Sequence, residues 1–282
     1  MAYRVGIMGP PNTGKSYSRR FIKKGQNTFI LQPSMKASHL LLDGKTPIGV
    51  FDISGEKFKN MKEARALLNA SSDTAVIDYF NTKVPPGKFK RENIKGNVQL
   101  VKDLNLLPIW MKFIDIHMPW IDTIILADFT HFLSEVISNR GFIERKQGGE
   151  AYQRFWELAG VALRNFITGV DGYRNDLVVV TEFHADYDEK LNSFQLYTPA
   201  GKMITEKFKP ETYYDVLLCT EAEVIEKEGR EPERNYYFVT EKTALHPLAR
   251  AMNMFDSTRI PNNLQMVLDK VREYMAIPDV QE

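Results

Sequence analysis

Residues 9–16 have the residue types and the spacing of a phosphate-binding loop. Their sequence, Gly-Pro-Pro-Asn-Thr-Gly-Lys-Ser, matches the pattern G-x-x-x-x-G-K-[ST] at every fixed position. In this pattern the glycines let the backbone curl, so that successive N–H groups point at phosphate oxygens. Lys15 places an ammonium beside the β- and γ-phosphates, and the hydroxyl of Ser16 can ligate Mg²⁺. The pattern predicts a site for ATP, or another nucleoside triphosphate, with its Mg²⁺.

The segments around this loop are those that such a site requires. An apolar run at 3–8 predicts a strand that enters the loop, and the basic, amphipathic segment 15–24 predicts a helix that leaves it. A second apolar run at 28–32 then indicates a parallel β-α-β unit. We expect the residues that bind the nucleotide to be Gly9, Pro10, Pro11, Asn12, Thr13, Gly14, Lys15, Ser16 and Tyr17.

A P-loop also needs an acidic residue at the end of a neighbouring strand, where it orients the water shell of the Mg²⁺. Asp128 is the best candidate, because it directly follows the apolar run 124–127. The alternative is that Asp128 only caps the next helix. Asp52 lies in a D-x-x-G turn, which is typical of GTPases. The N-K-x-D pattern that recognises guanine is missing after the later strands, which argues against a GTPase. We therefore expect Ser16 and Asp128 to be the metal ligands.

The residue that activates the attacking water has several candidates. Phe129 stands where many ATPases place a glutamate, directly after the metal-orienting aspartate. Glu182 and His184 follow the apolar run 177–181, and strand ends at this edge of a parallel sheet face the nucleotide. The alternative is that they are ordinary polar residues leaving a buried strand. Asp52 or Glu56 is a further candidate for the carboxylate that polarises the water. The expected catalytic residues are Lys15, Asp128, Glu182, His184 and Glu56.

The rest of the chain alternates between predicted helices and strands. Residues 98–118 have a helical pattern that is interrupted at Pro108, and 150–169 form a strongly amphipathic helical pattern. The apolar runs 122–128 and 177–181 are typical of strands buried on both faces of a parallel sheet. These patterns predict an α/β fold with a mostly parallel central sheet flanked by helices.

The end of the chain has a different character. Segments 214–224 and 236–240 predict strands joined by a charged turn, so they could pair antiparallel, and 264–275 predicts a closing helix. We expect one domain over 1–282, with an insertion around 81–97 and a small antiparallel extension around 199–282.

Composition excludes several classes of protein. The 282 residues include 17 Phe, 12 Tyr and 3 Trp, enough to form a core, so the chain as a whole is not disordered. Lys and Arg number 37 against 36 Asp and Glu, so binding to nucleic acid requires a local basic patch. Cys219 is the only cysteine, which excludes an intrachain disulfide and favours the cytoplasm. No apolar run reaches the roughly 18 residues of a membrane span, so we expect no membrane partner.

The segment 83–95 is the candidate basic patch. Its cations surround a Pro-Pro-Gly turn, and Phe89 among them could stack on a base while the cations pair with phosphates. A second basic group lies on the helix predicted after the loop, where a solvated helix face is the simpler explanation. The first group consists of Lys83, Lys88, Lys90, Arg91 and Lys95, and the second of Arg19, Arg20, Lys23 and Lys24.

Taken together, these segments resemble a family of phage-encoded P-loop ATPases with a RecA-like core, which includes the Sak-type single-strand annealing proteins. Residues 9–16 are similar to the family's Walker A motif, and 122–133 to its Walker B strand and short helix. Residues 177–184 resemble the strand that ends in the family's polar sensor pair, here Glu-Phe-His. The segments 199–203 and 214–218 resemble its P-x-G-K segment and the apolar strand after it.

The resemblance implies a RecA-like ATPase that acts as a homo-oligomer on single-stranded DNA in recombination or replication. ATP would lie between subunits, and a cation from the next subunit would reach the γ-phosphate; Lys242 and Arg250 are candidates late in the chain. A phage protein of this kind would work in the cytoplasm of the bacterial host. The alternatives are a P-loop ATPase acting on another macromolecule, a small-molecule kinase, and a nucleotide-binding switch with little catalysis.

Overall fold

The structure, a computed structural model, describes residues 2–23, 25–34, 51, 80–101, 104–133, 160, 163–197, 209–226 and 232–276. The sequence also predicts a possible strand at 49–53, of which the structure describes Phe51 alone. A helix that the sequence predicts at 61–69, a surface loop that it predicts at 140–149 and the segment 199–203 lie outside the described residues, as do Asp52 and Glu56.

A mixed sheet of nine strands forms the centre of the described fold. Its strands are β1 (Tyr3–Gly9), β2 (Thr28–Gln32), β3 (Val98–Leu100), β4 (Thr123–Leu126), β5 (Val178–Asp188), β6 (Ser193–Leu196), β7 (Val216–Ile225), β8 (Glu233–Val239) and β9 (Arg259–Pro261). The spatial order is β3-β2-β4-β5-β1-β7-β8-β9, with β6 paired to β5. The neighbouring pairs β3-β2, β2-β4, β4-β5, β5-β1 and β1-β7 are parallel. The pairs β5-β6, β7-β8 and β8-β9 are antiparallel. The predicted mostly parallel α/β sheet with antiparallel strands late in the chain is confirmed.

Helices cover both faces of this sheet. The α-helices with complete bounds are α1 (Leu107–His117) and α2 (Leu264–Ala276), and residues 163–169 are also helical. Apolar side chains on one face pack with α1 and the 163–169 helix, while those on the other face pack with α2. The central strands are buried from both sides, which explains why β1, β4 and β5 have continuous apolar runs rather than alternating ones.

Two helix predictions are wrong. Within the segment predicted as a helix at 15–24, the described residues form a short 3₁₀ helix, Ser16–Phe21, and the chain is extended at Ile22. Residues 98–118 do not form one interrupted helix, because Val98–Leu100 pairs in parallel with β2. Pro108 lies in the first turn of α1, where its missing N–H costs no hydrogen bond, so it marks the start of that helix.

Two β-hairpins extend past the carboxyl edge of the parallel strands. β5 continues beyond its predicted end, and its last part pairs with β6. β7 continues beyond its pairing with β1 and turns back as β8. Because β1 lies between β5 and β7, the loop that follows β1 opens between the two hairpins.

Candidate nucleotide-binding site

The loop after β1 has the curled backbone that its sequence predicts. Gly14 has a φ of 96° and Asn12 a φ of 62°, both in the left-handed region that glycine and asparagine tolerate best. The Lys15 ammonium turns back over the loop, where Nζ donates to the carbonyl oxygens of Gly9 at 2.6 Å and Pro10 at 2.7 Å. The positive charge is therefore held at the mouth of the loop, where the pattern predicts phosphate oxygens.

Gly9 is required because β7 lies so close to the start of the loop. A Cβ at Gly9 would collide with Oγ1 of Thr220 and lie 2.9 Å from Oγ1 of Thr13. Those two hydroxyls are hydrogen bonded to each other at 2.5 Å, and the Thr13 hydroxyl can also donate to the Pro10 carbonyl at 2.7 Å. These contacts hold the loop against β7. The sequence pattern of the loop does not predict this contact.

The chain that leaves the loop contributes less helix than expected. Lys15 is the N-terminal flanking residue of the six-residue 3₁₀ helix, and its side chain makes no capping hydrogen bond. So short a helix adds little dipole to the attraction of an anion, since that effect comes from aligned peptide units. The loop N–H groups and the Lys15 ammonium are therefore the main positive groups that this loop offers to an anion.

Asp128 and His184 meet at the carboxyl edge of the sheet. Asp128 follows β4, and its Oδ1 lies 2.7 Å from Nε2 of His184 on β5. The backbone N–H of His184 donates to Oγ1 of Thr130 at 2.9 Å, so the same turn holds both ends of the histidine. Asp128 has a φ of 56°, a left-handed conformation uncommon outside glycine that is enriched at functional sites. The structure thus brings together two of the predicted site residues.

Glu182 has a different partner, Arg19. Nε of Arg19 donates to Oε1 of Glu182 at 2.7 Å, and Nη2 donates to Oε2, which makes the pair bidentate. The side chains are only 3% and 2% exposed. Arg19 therefore does not belong to a solvated basic face, as the sequence suggested, and both carboxylate oxygens of Glu182 accept hydrogen bonds from the guanidinium.

A cleft of about 470 Å³ unites these groups. Lys15, Ser16, Asp128 and His184 line it together with the Arg19–Glu182 pair. The hydroxyl of Ser16 and the carboxylate of Asp128 are oxygen donors, the kind that Mg²⁺ prefers. In the described part of the chain, no cluster of three or more His, Cys, Asp or Glu side chains could hold a metal alone.

Cleft residues from two other segments were not predicted. Gln32 ends β2, Pro33 and Ser34 follow it, and Arg234 and Tyr236 come from β8. Gln32 was recognisable in principle, because carboxyl ends of parallel strands face the crevice. The β8 residues were not, because their place depends on the hairpin register, in which Tyr236 lies opposite Ala222.

The candidate cations for a neighbouring subunit's site differ in their surroundings. Arg250 is held within its own chain, since Nε donates to the Tyr214 carbonyl at 3.2 Å and Nη2 donates to the carbonyls of Tyr214 and Glu211. Lys242, by contrast, is exposed. Of the two, only Lys242 has the accessibility that a contact with another subunit requires.

The basic segment 83–95 lies away from the cleft. Arg91 donates from Nη2 to Oδ1 of Asn27, the residue just before β2, at 3.0 Å. This contact is at the amino edge of the parallel strands, opposite the edge where the cleft opens. Exposed cations in the segment are Lys83, Lys88, Lys90, Arg91 and Lys95.

The prediction that Phe89 could stack on a base is wrong. Phe89 is only 3% exposed, and its ring packs 5.4 Å from Phe80, 5.3 Å from Phe113 and 5.3 Å from His117, measured between centroids. Burial in this aromatic cluster anchors the segment to α1. The cations of the segment are exposed, but the buried Phe89 gives them no aromatic partner for a base.

Cys219 offers no nucleophile to this site. It is buried on β7 opposite Met8, and burial, with a smaller contribution from Glu221, raises the pKa of its thiol to about 12. Since the thiolate is the reactive form, this cysteine is inert near neutral pH. The cleft chemistry is that of oxygen and nitrogen groups.

Comparison with known proteins adds no assignment. No protein-family model matches the chain, and no curated protein is significantly similar to it. As for membranes, none of the helices within the described ranges combines the length and the apolar character that a bilayer span needs.

Proposed function

We propose that this protein binds ATP with Mg²⁺ in the cleft and hydrolyses it as a RecA-like ATPase. One observation carries the proposal: the phosphate-loop pattern, the acid after β4 and the histidine on β5 line a single cleft at the carboxyl edge of a parallel sheet. That edge is where open α/β sheets bind ligands. Three segments that are far apart in sequence therefore contribute to one site.

Each side chain has a role that its contacts support. Lys15 exchanges the carbonyls of Gly9 and Pro10 for phosphate oxygens, so its charge is already near the place where it acts. Ser16 and Asp128 would supply oxygen atoms that hold Mg²⁺, and the ion would neutralise negative charge on the phosphates. His184 holds the Asp128 carboxylate in position through Nε2.

Glu182 is the candidate base, and its ion pair predicts slow turnover by the isolated protein. Both carboxylate oxygens already accept hydrogen bonds from Arg19, so the carboxylate must leave this pair, at least in part, before it can act on an attacking water. Rearrangement of this pair, or a cation from a neighbouring subunit such as Lys242, would then accelerate hydrolysis. Assembly on single-stranded DNA, with the exposed cations of 83–95 on the phosphates, is the form of activation that we propose.

The same ion pair favours a second candidate, a nucleotide-binding switch with little catalysis. In that case ATP would bind with Mg²⁺ and change the conformation around Arg19 and Glu182 without being turned over. Binding is common to both candidates, so turnover is what separates them.

The experiment measures ATP binding by calorimetry with Mg²⁺, and ATP turnover with and without single-stranded DNA at several protein concentrations. We expect binding by the intact protein, loss of binding in Lys15→Ala, and no loss in Lys23→Ala, a matched change at an exposed lysine. Turnover per protein molecule should rise with protein concentration and when DNA is added. The molecular mass of the protein in solution should rise under the same conditions. Absence of binding would refute the proposed site, whereas binding without turnover would select the switch.

A further inference from the structure

The side of the cleft next to β8 is aromatic. Tyr17 and Tyr236 both line the cleft, and their ring centroids lie 4.9 Å apart with the ring planes inclined by 41°. Both residues are half-buried and both line the cleft, so they can be reached from it. The exposed Arg234, two positions before Tyr236 on β8, lines the same side.

Contacts with the phosphate loop position this pair. A Cβ at Gly14 would lie 2.8 Å from Cδ1 of Tyr236, so the tyrosine ring rests directly on the loop glycine. Tyr17 directly follows Ser16, and the guanidinium of Arg20 lies 4.7 Å from the centroid of its ring. The two rings therefore have a defined position relative to the backbone of the phosphate loop. That position does not depend on a contact with the flexible end of a long side chain.

The cleft carries different kinds of side chains on the two sides of β1. On one side β4 and β5 contribute Asp128, His184 and Glu182, which are groups for metal and water chemistry. On the other side β7 and β8 lead to Tyr236 and Arg234. A nucleoside triphosphate has the same asymmetry, with a metal-binding phosphate end and an aromatic base.

We propose that Tyr17 and Tyr236 form a stacking platform for the nucleobase of the bound triphosphate. This inference rests on the proposed function and adds the direction of the ligand: the γ-phosphate faces Asp128 and the base faces β8. Stacking tolerates every base, because every base has a π-face. The platform therefore predicts purine triphosphates bound more tightly than pyrimidine ones, because of their larger rings, with little preference between adenine and guanine.

Calorimetry with ATP, GTP, CTP and inorganic triphosphate, each with Mg²⁺, tests the platform. Inorganic triphosphate has no base, so it reports on the loop alone. In Tyr236→Leu we expect the affinity for ATP to fall about tenfold, the affinity for inorganic triphosphate to stay within about twofold, and Tyr236→Phe to keep both. Tyr17→Leu should behave as Tyr236→Leu does.

The outcomes separate the platform from the proposed function. If the intact protein binds neither ATP nor inorganic triphosphate, the nucleotide site itself is refuted. If ATP binds but Tyr236→Leu leaves its affinity unchanged, or lowers both affinities equally, the platform is refuted and the loop assignment stands. A tenfold preference for ATP over GTP in the intact protein would also count against simple stacking.

Discussion

Arg19 and Glu182 form a bidentate ion pair that is almost completely buried at the wall of the cleft. Arg19 comes from the 3₁₀ helix after the phosphate loop, and Glu182 comes from β5, 163 residues later. The pair therefore connects the loop that would hold phosphate with the strand that carries His184. A charge this deeply buried is retained only if it is paired, which makes the two residues depend on each other.

Removal of one partner should destabilise the protein more than removal of both. Arg19→Met leaves the Glu182 carboxylate buried without its partner, and Glu182→Leu leaves the guanidinium in the same condition. Each single change should lower the free energy of unfolding by about 3–5 kcal/mol, while the double change should cost less than either single change and therefore much less than their sum. Urea denaturation of the four proteins measures the coupling. Additive losses would show that the pair contributes no mutual stabilisation.

Gly9→Ala should distort the loop through Thr220. The added Cβ collides with Oγ1 of Thr220, so the loop must move, at a cost of about 1–3 kcal/mol in stability and with loss of ATP affinity. Thr220→Ala in the same chain removes that hydroxyl but leaves Cβ, which lies 3.1 Å from the position of the added methyl group, so the rescue should be partial. Thermal unfolding and calorimetry measure both effects. A Gly9→Ala protein that binds ATP normally would contradict this account.

Local patterns were sufficient for the parts of the molecule that depend on neighbours in sequence. The curl of the phosphate loop, the buried strand before Asp128 and the amphipathic α2 all follow from residue type and spacing. The segment after the loop forms a short 3₁₀ helix, and its basic residues do not share one solvated face: Arg19 turns inward to Glu182 while Arg20 is exposed. An ion pair between residues so far apart in the chain produces no periodic pattern in the sequence that could predict it.

The rest of the cleft depends on strand register. Tyr236 reaches Gly14 only because β8 pairs with β7 in one alignment, and Thr220 reaches Thr13 only because β7 is the neighbour of β1. Neither fact can be read from spacing within a segment, because a one-residue slip would turn Tyr236 to the other face. Phe89 shows the opposite error: its basic neighbours suggested exposure, but its ring is part of the core.

Asp128→Asn should weaken the binding of Mg²⁺ with the nucleotide while preserving the fold. Asparagine tolerates the positive φ at this position and keeps an oxygen near His184, but it lacks the negative charge. We expect affinity for Mg²⁺ in the presence of ATP to fall by about tenfold or more, with little change in the urea midpoint. Asp186→Asn, at an exposed carboxylate on β5, is the matched control and should alter neither quantity. Unchanged Mg²⁺ dependence in Asp128→Asn would leave this residue as a helix cap only.

Replacement of Lys88, Lys90 and Arg91 together by alanine should reduce the salt dependence of binding to single-stranded DNA. If each cation neutralises one phosphate, the slope of log affinity against log salt falls by about 2. Fluorescence anisotropy with a labelled oligothymidine across a salt series gives this slope. The control replaces three exposed cations elsewhere, Arg164, Lys190 and Lys209. Equal slopes in the triple variant and the intact protein would remove the segment from the proposed DNA contact.

His117 should make the protein less stable in mild acid. The imidazole is fully buried between the rings of Phe89 and Phe113, and burial lowers its pKa from the ordinary 6.5, although a contact between Nε2 and the Phe80 carbonyl opposes this shift. Below pH 6.5 the unfolded chain therefore takes up this proton more readily than the folded one.

The stability that depends on a neutral His117 is fully present above pH 6.5. It is lost as the pH falls toward the pKa that His117 has in the folded protein. The slope of unfolding free energy against pH reaches at most about 1.4 kcal/mol per pH unit for one proton. His117→Gln, which keeps a donor for the Phe80 carbonyl, should flatten this slope between pH 6.5 and 5. Part of the slope should remain, because burial also lowers the pKa of His246. Urea unfolding at pH 8, 6.5, 5.75 and 5 measures it, and an identical slope in His117→Gln would show that this histidine is protonated equally in both states.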